Sequence, residues 1–407
     1  MTSSPAPLRV AMIGYRFMGA VHSQAWRVAP RFFDLPRPIE MTVVVGRDGA
    51  AAEAAARRLG WTESATDWRA VLQREDVDLI DICAPGNLHA EIAVAALEAG
   101  KHVLCEKPLA NTAAQAADMA RAAETALGYG TVAMVGFTYR RVPAVQLMRQ
   151  LVADGEIGEI RQVRAQYLQD WLADPEAPMS WRLDREAAGS GALGDLGSHI
   201  VDMVQFVTGQ RVTGVSALTR TFVAARPWPI PSGPGATTGT VTVDDTAVFL
   251  GTLDGGAIGT FEATRMASGR KNALRIEVSG STGSLSFDTE ELNVLHYYRS
   301  DDGTTAGFRR VLVTEPEHPY LAAWWPAGHL LGYEHAFSHQ VVDLVRDIDA
   351  RRCPSPSFTD GWQVQRVLDA VERSSAAQSW VAVDPPREGR NHTEQPHTTN
   401  AEARPTS

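Results

Sequence analysis

Cysteine is scarce in this chain: three among 407 residues, at Cys83, Cys105 and Cys353. Thiols so few and so scattered exclude a disulfide framework and a thiolate zinc cluster, and no metal site is expected. Cys83 and Cys105 lie in apolar runs and read as small core residues, consistent with a reducing, cytoplasmic setting. Positive charge is in deficit as well. Lys and Arg number 38 against 48 Asp and Glu, a formal net charge of -10, which argues against a nucleic-acid partner. No run approaches the ~20 apolar residues that cross a bilayer, so no membrane partner is expected, and Met1–Pro7 has no apolar leader. Internal repeats are lacking too. From Pro385 to Ser407 the chain has almost nothing to bury and is expected to be a disordered tail.

What is present is a change of texture part-way along. From Leu8 to about Thr131, apolar β-branched runs alternate with Ala-rich helical segments: Arg9–Ile13, Met41–Val45, Asp78–Cys83 and Val103–Cys105 alternate with helices after Gly19, over 49–59 and over 91–99. Such alternation predicts an α/β architecture, a doubly wound parallel sheet with helices on both faces. Beyond Arg140, strands come in turn-linked pairs. Ala247–Leu253 and Ala257–Ala263 flank Asp254-Gly255-Gly256, and Leu274–Ser279 is followed by Ser284–Phe287. This half is predicted to be an α+β unit with a mostly antiparallel sheet. The Pro/Gly-rich stretch from Arg226 to Thr240 reads as a long surface loop. The expected divisions are residues 8–138, 139–384 and the tail 385–407.

Gly14-Tyr15-Arg16-Phe17-Met18-Gly19 follows the first strand and opens a helix, the place of a dinucleotide-binding glycine loop. Its outer glycines suit the tight turn and close helix packing, whereas Arg16 stands where the middle glycine would let the backbone approach a pyrophosphate. The second strand runs out into Gly46-Arg47-Asp48. An acid near this point bonds ribose hydroxyls in NAD sites and an arginine accommodates a 2′-phosphate, so this end leaves NAD and NADP both open. Arg47 could equally stack on an adenine. The third long strand ends in the loop that holds Pro85, Asn87 and His89, which would cover the cofactor from the switch-point side; Asn87 could instead serve as a turn or cap residue.

Two segments carry candidate chemistry. Glu106-Lys107-Pro108 closes a short apolar strand, and a lysine at the carboxyl end of a buried parallel strand faces the crevice where such sheets bind ligands. Asp195 and His199 lie four apart in a glycine-rich segment, so on a regular helix they share a face, with the carboxylate orienting the imidazole. Close approach of a ligand would account for the glycines. Together the three supply what alcohol oxidation needs: Lys107 as a cation beside the oxygen, His199 as proton acceptor, Asp195 as its orienter. Glu106 is expected to hold the lysine or cap the turn.

Taken in order, Gly14…Gly19, Pro85–His89, Gly100–Pro108, Tyr139–Ala144, Trp181-Arg182 and Gly194–His199 resemble the glucose–fructose oxidoreductase/inositol dehydrogenase family (Gfo/Idh/MocA), over nearly all of Leu8 to Val383. The resemblance implies a Rossmann domain followed by an α/β domain whose open sheet builds homodimers or homotetramers. It implies catalysis by Lys107, Asp195 and His199, with Glu106, Trp181 and Arg182 joining the glycine loop, Gly46, Arg47, Pro85, Asn87 and His89 around the cofactor. Tyr167–Trp171 and His318–Pro326 are most similar to the levoglucosan and inositol dehydrogenase branch. That similarity implies a neutral sugar, anhydrosugar or cyclitol substrate, leans toward NAD, and makes Tyr139, Gln169, Trp171 and Tyr333 expected pocket-lining residues beside the catalytic three. Aromatic faces and amides suit polyol rings. An NAD-dependent glycosidase and a non-catalytic nucleotide-binding regulator stand as the competing readings.

Overall fold

The structure, a computed structural model, describes residues 5–229 and 237–383 of the chain. The expected tail lies outside those residues. The first half opens with β1 (Leu8–Ile13), α1 (Phe17–Phe32), β2 (Ile39–Val45), α2 (Gly49–Leu59), β3 (Glu63–Ala65), α3 (Trp68–Leu72) and β4 (Leu79–Ile82). It closes with α4 (His89–Glu98), β5 (His102–Cys105), α5 (Ala113–Leu127) and β6 (Ala133–Val135). These strands form one six-stranded sheet in the order β3-β2-β1-β4-β5-β6, parallel throughout. β3 and β6 were not anticipated; at three residues each, neither carries a period long enough to see in sequence.

Local chemistry explains where the elements begin and end. Asp48 caps α2 by accepting from the Ala51 amide, and Thr112 caps α5 through Gln115. Gly60 closes α2 in the left-handed conformation. Along β1 the side chains alternate between two cores. Ala11 and Ile13 join the one that also holds Ile92 and Val103, while Leu8, Val10 and Met12 join the other with Trp26.

The second half comprises α6 (Pro143–Ala153), β7 (Ile160–Leu168), α7 (Arg185–Ala188), α8 (Ser198–Thr208), β8 (Val212–Arg220), β9 (Ala225–Pro227) and β10 (Thr238–Thr240). There follow β11 (Thr246–Leu253), β12 (Ile258–Thr264), β13 (Ala273–Gly280), β14 (Gly283–Asp288), β15 (Val294–Arg299), β16 (Arg309–Leu312), α9 (Tyr333–Ala350), α10 (Phe358–Ala377) and β17 (Val381–Ala382). Nine strands make a sheet in the order β16-β15-β14-β13-β7-β12-β11-β8-β17. Only the β7–β12 pairing is parallel; the others are antiparallel. Both anticipated hairpins are present, β11–β12 and β13–β14.

Two features depart from expectation. The ends of the supposed loop 226–240 pair as the β9–β10 ladder, and Arg226 is fully buried, its guanidinium donating to the carbonyls of Leu172 and Asp174. Helix α9 also returns to the first half, where Phe337, Val341 and Val345 complete the core of Leu8, Val10 and Met12. Among the described residues no helix is long and apolar enough to cross a membrane.

Candidate active site

The glycine loop leaves β1 at the point where the strand order reverses between β1 and β4, the usual ligand crevice of an open parallel sheet. Gly14 has φ 103°, and a Cβ there would lie 2.6 Å from the Cys83 carbonyl oxygen; at Gly19 it would lie 2.2 Å from the Gly14 oxygen. Both positions therefore need glycine, and the first turn of the 16-residue α1 carries no acid to repel a phosphate. These residues fit a dinucleotide despite Arg16, which is exposed at the helix start and makes no side-chain cap.

Around the loop the other expected cofactor residues take distinct places. Tyr15 lies against Gly46, where a Cβ would come within 1.9 Å of its ring. Phe17 stacks on Tyr333 with centroids 6.5 Å apart, tying the glycine loop to α9, and Met18 packs on the core beneath. Arg47 is exposed at the end of β2, while the acid beside it, Asp48, is engaged as the α2 cap. Pro85 and Asn87 sit on the outside of a 3-10 turn and Asn87 makes no cap hydrogen bond. His89 is buried, with Nδ1 2.9 Å from the Pro108 oxygen and Nε2 3.0 Å from the Ala84 oxygen, so it clamps the two crevice loops together. Trp181 carries the Arg182 guanidinium 4.6 Å above its ring.

The turn after β5 brings Lys107 to the carboxyl edge of the sheet. Its Nζ donates to Asp195 Oδ1 and to the Asp195 main-chain oxygen, both at 3.0 Å. The other carboxylate oxygen, Oδ2, accepts from Arg265 Nη2 at 2.9 Å. Burial works to raise the Asp195 pKa, but the charges and hydrogen bonds of Lys107 and Arg265 prevail and hold it far below the usual carboxylate range.

His199 is buried among Phe137, Tyr139 and Tyr167, with ring centroids 6.1, 5.0 and 5.6 Å away. Its Nδ1 is buried with no hydrogen-bond partner among the described residues. Burial and then the Lys107 charge push its pKa well below 6.5, against the opposing pull of Asp195. It is therefore a neutral imidazole at neutral pH.

The expected Asp195–His199 pairing is not formed. Asp195 lies in a π-helical turn, Leu193–Gly197, and His199 in the α-helix that follows. Both carboxylate oxygens are already taken by cations, Oδ1 by Lys107 and Oδ2 by Arg265. At Gly191 a Cβ would lie 1.8 Å from the Asp244 carbonyl oxygen, so at that glycine the close approach is by the chain itself. Asp244 then accepts from the Gly191 and Leu193 amides, which fixes the start of the turn.

Behind His199 a closed ring of hydrogen bonds links three residues. Tyr167 donates to Asn272 Oδ1 at 2.8 Å, Asn272 Nδ2 donates to the Tyr139 oxygen at 3.2 Å, and Tyr139 then donates to Tyr167 at 2.9 Å. Gln169 also donates to Asn272 Oδ1, and Trp171 Nε1 donates to Gln169. Tyr139, Gln169 and Trp171 are thus brought together as one wall, with the Tyr139 hydroxyl already engaged. Tyr333 reaches the same wall, 6.3 Å from Tyr139.

Four participants escaped the sequence reading: Arg265, Asn272, His22 and Asp81. An Arg directly after an alternating strand, or a lone buried His on a helix, carries no spacing signal. His22 Nδ1 lies 2.9 Å from Asp81 Oδ1, and Trp26 Nε1 donates to Asp81 Oδ2 at 2.7 Å. Ligand atoms of His22, Asp81 and Cys83 lie within 4.8 Å of one another. Burial and then the Asp81 charge push the Cys83 thiol up to about 12, and Asp81 already takes protein donors, a poor arrangement for a metal.

A glycine loop fit for a dinucleotide, with a lysine and a neutral histidine at the same crevice, defines a nicotinamide-dependent oxidoreductase. Comparison with known proteins agrees. Residues 8–137 match the model of the oxidoreductase family with an NAD-binding Rossmann fold, and residues 145–286 match the GFO/IDH/MocA C-terminal domain. The chain belongs to the GFO/IDH/MocA oxidoreductase family. It is 40% identical over 390 residues to levoglucosan dehydrogenase of Pseudarthrobacter phenanthrenivorans, covering 92% of this chain and 98% of that one. An oxidoreductase domain protein from Kribbella flavida superposes with a TM-score of 0.91 at 62% identity, over 93% of this chain and all of that one. A levoglucosan dehydrogenase in complex with NADH and levoglucosan gives 0.89 at 39% identity, over 94% of this chain and all of its own.

Proposed function

We propose that this protein oxidises a secondary hydroxyl of a neutral sugar, anhydrosugar or cyclitol to a ketone, with NAD as the preferred cofactor. The observation that carries the proposal is the contact of Lys107 Nζ with Asp195 at 3.0 Å, beside the neutral His199. A nicotinamide held at the glycine loop would supply the acceptor for the hydride that leaves the carbinol carbon with its bonding pair. His199 takes the hydroxyl proton, Lys107 holds the oxygen as negative charge grows on it, and Asp195 fixes the lysine. The Tyr139–Tyr167–Asn272 ring and Gln169, Trp171 and Tyr333 present aromatic faces and an amide to a polyol. The levoglucosan dehydrogenase relatives, one bound to NADH and levoglucosan, support the substrate class and the cofactor.

The outer face of the C-terminal sheet supports a homodimer or homotetramer. Leu218, Val248, Leu250 and Ile258 are exposed there, and Leu218 and Val248 are directly paired across β8 and β11. Such a patch on neighbouring strands is the kind a second copy covers.

The test is turnover of a panel of levoglucosan, myo-inositol and D-glucose with NAD+ and with NADP+, followed by nicotinamide absorbance. Lys107→Ala is expected to lose at least about 100-fold in kcat while still binding NAD+. Near-normal activity in that variant would remove the assignment.

A further inference from the structure

Arg265 follows β12 directly and is 1% exposed, so a full guanidinium charge sits inside the protein. Its bonds are few for such a group. Nη2 donates to Asp195 Oδ2 at 2.9 Å, Nη1 reaches the Arg182 main-chain oxygen only at 3.5 Å, and Nε is buried without a partner among the described residues. The guanidinium carbon lies 5.2 Å over the Trp171 ring. Buried ion pairs seldom repay their desolvation, and apolar residues of similar volume commonly serve stability as well or better. An incompletely satisfied buried cation is therefore poorly explained by stability alone.

Its position suggests another role. Among the described residues Asp195 is the sole carboxylate bonded to either cation, and it has one oxygen on each: Oδ1 on Lys107, Oδ2 on Arg265. With a lone lysine the pair would be neutral. With both cations the group carries one net positive charge. Arg265 is buried and Lys107 is the cation at the crevice, 15% exposed, so the surplus faces the place where a hydroxyl would bind. The other groups around Lys107 are neutral His199 and Tyr139, with Glu106 preceding it; one Glu106 oxygen accepts the Lys107 amide and the other is 3.1 Å from His22.

We propose that Arg265 is a positioning residue for the reaction: by sharing Asp195 it keeps Lys107 from being neutralised, and the surplus charge shown at the Lys107 ammonium stabilises the developing alkoxide. This rests on the alcohol oxidation proposed above and extends it to a residue 70 positions from Asp195. It also accounts for the fate of the carboxylate. Asp195 orients a cation pair, and the proton acceptor His199 stands apart from it.

The test uses the full chain with Arg265→Met, close in length but uncharged, and Arg265→Lys, which keeps a charge. Two readouts are taken. The first needs no turnover: pH-dependent acetylation of Lys107, followed by mass spectrometry. With Arg265 gone, both Asp195 oxygens are free to bond the Lys107 ammonium alone, so labelling at a fixed pH is expected to slow severalfold in Arg265→Met. It is expected to recover in Arg265→Lys. The second is steady-state oxidation of levoglucosan with NAD+. Here Arg265→Met is expected to lower kcat at least about tenfold, leave KM for NAD+ within about twofold, and regain much of kcat as Arg265→Lys. Unchanged Lys107 labelling in Arg265→Met overturns the inference, whether or not levoglucosan is a substrate. So does an equal kcat loss in both variants when both retain NAD+ binding. Failure of the wild type on every polyol with normal labelling shifts would instead remove the proposed function and leave the charge sharing standing.

Discussion

His22 Nε2 lies 3.1 Å from Glu106 Oε1, one residue before the candidate catalytic lysine, while its Nδ1 lies 2.9 Å from Asp81 Oδ1. A histidine from the cofactor-loop helix thus joins the ends of β4 and β5 beneath the crevice. Burial of the ring disfavours its charge, but the Asp81 carboxylate outweighs this and raises its pKa well above 6.5. The imidazolium sits between two buried acids.

Replacing it with alanine leaves both acids without their cation, a loss of about 3–5 kcal/mol for breaking a buried pair. Because the folded pKa is raised, the stabilisation is complete below pH 6.5 and disappears as pH climbs through the folded value. Urea denaturation at pH 6 is expected to show the full deficit of His22→Ala. The gap to wild type should narrow on the alkaline side, and a deficit independent of pH would contradict the charged state.

The neutral state of His199 gives a prediction of opposite sign. An ordinary histidine base switches off as pH falls through 6.5; this one, depressed by burial and Lys107, stays an acceptor to lower pH. Asp195 is likewise ionised over that range, and burial raises Tyr139 and Tyr333 above 10. The kcat/KM profile for an oxidised polyol is therefore expected to be flat through pH 6.5 with its acid limb below. An inflection at 6.5 would count against His199 as the base.

Gly19→Ala tests the cofactor loop. The new methyl would lie 2.2 Å from the Gly14 oxygen, a contact relieved only by moving the loop or helix α1. NAD+ affinity, followed by quenching of tryptophan fluorescence, is expected to fall at least about tenfold, or about 1.4 kcal/mol. Unchanged affinity would place the pyrophosphate elsewhere.

The exposed face of the C-terminal sheet is tested by Leu218→Lys combined with Leu250→Lys. Both side chains point outward, so the monomer core is untouched. Light scattering after size exclusion is expected to show a multiple of 44.1 kDa for wild type and a lower mass for the variant. Equal masses would move the interface off this face.

Much of this molecule is local in origin, and that part could be read from the chain alone. Alternating apolar strands and Ala-rich helices specify a parallel sheet because burial on both faces needs that composition. Gly14 and Gly19 mark a turn too tight for side chains, and Lys107 two residues past a buried strand must emerge at the crevice. Tertiary structure decided the partners. Asp195 lies four residues before His199, yet its carboxylate is held by two cations and makes no bond to the imidazole. It meets Lys107 and Arg265 instead, 88 and 70 residues distant. Arg265, Asn272 and His22 acquire their roles only where separate strands and helices converge. No spacing rule acts across such distances, and the choice belongs to charge balance and burial in the folded chain.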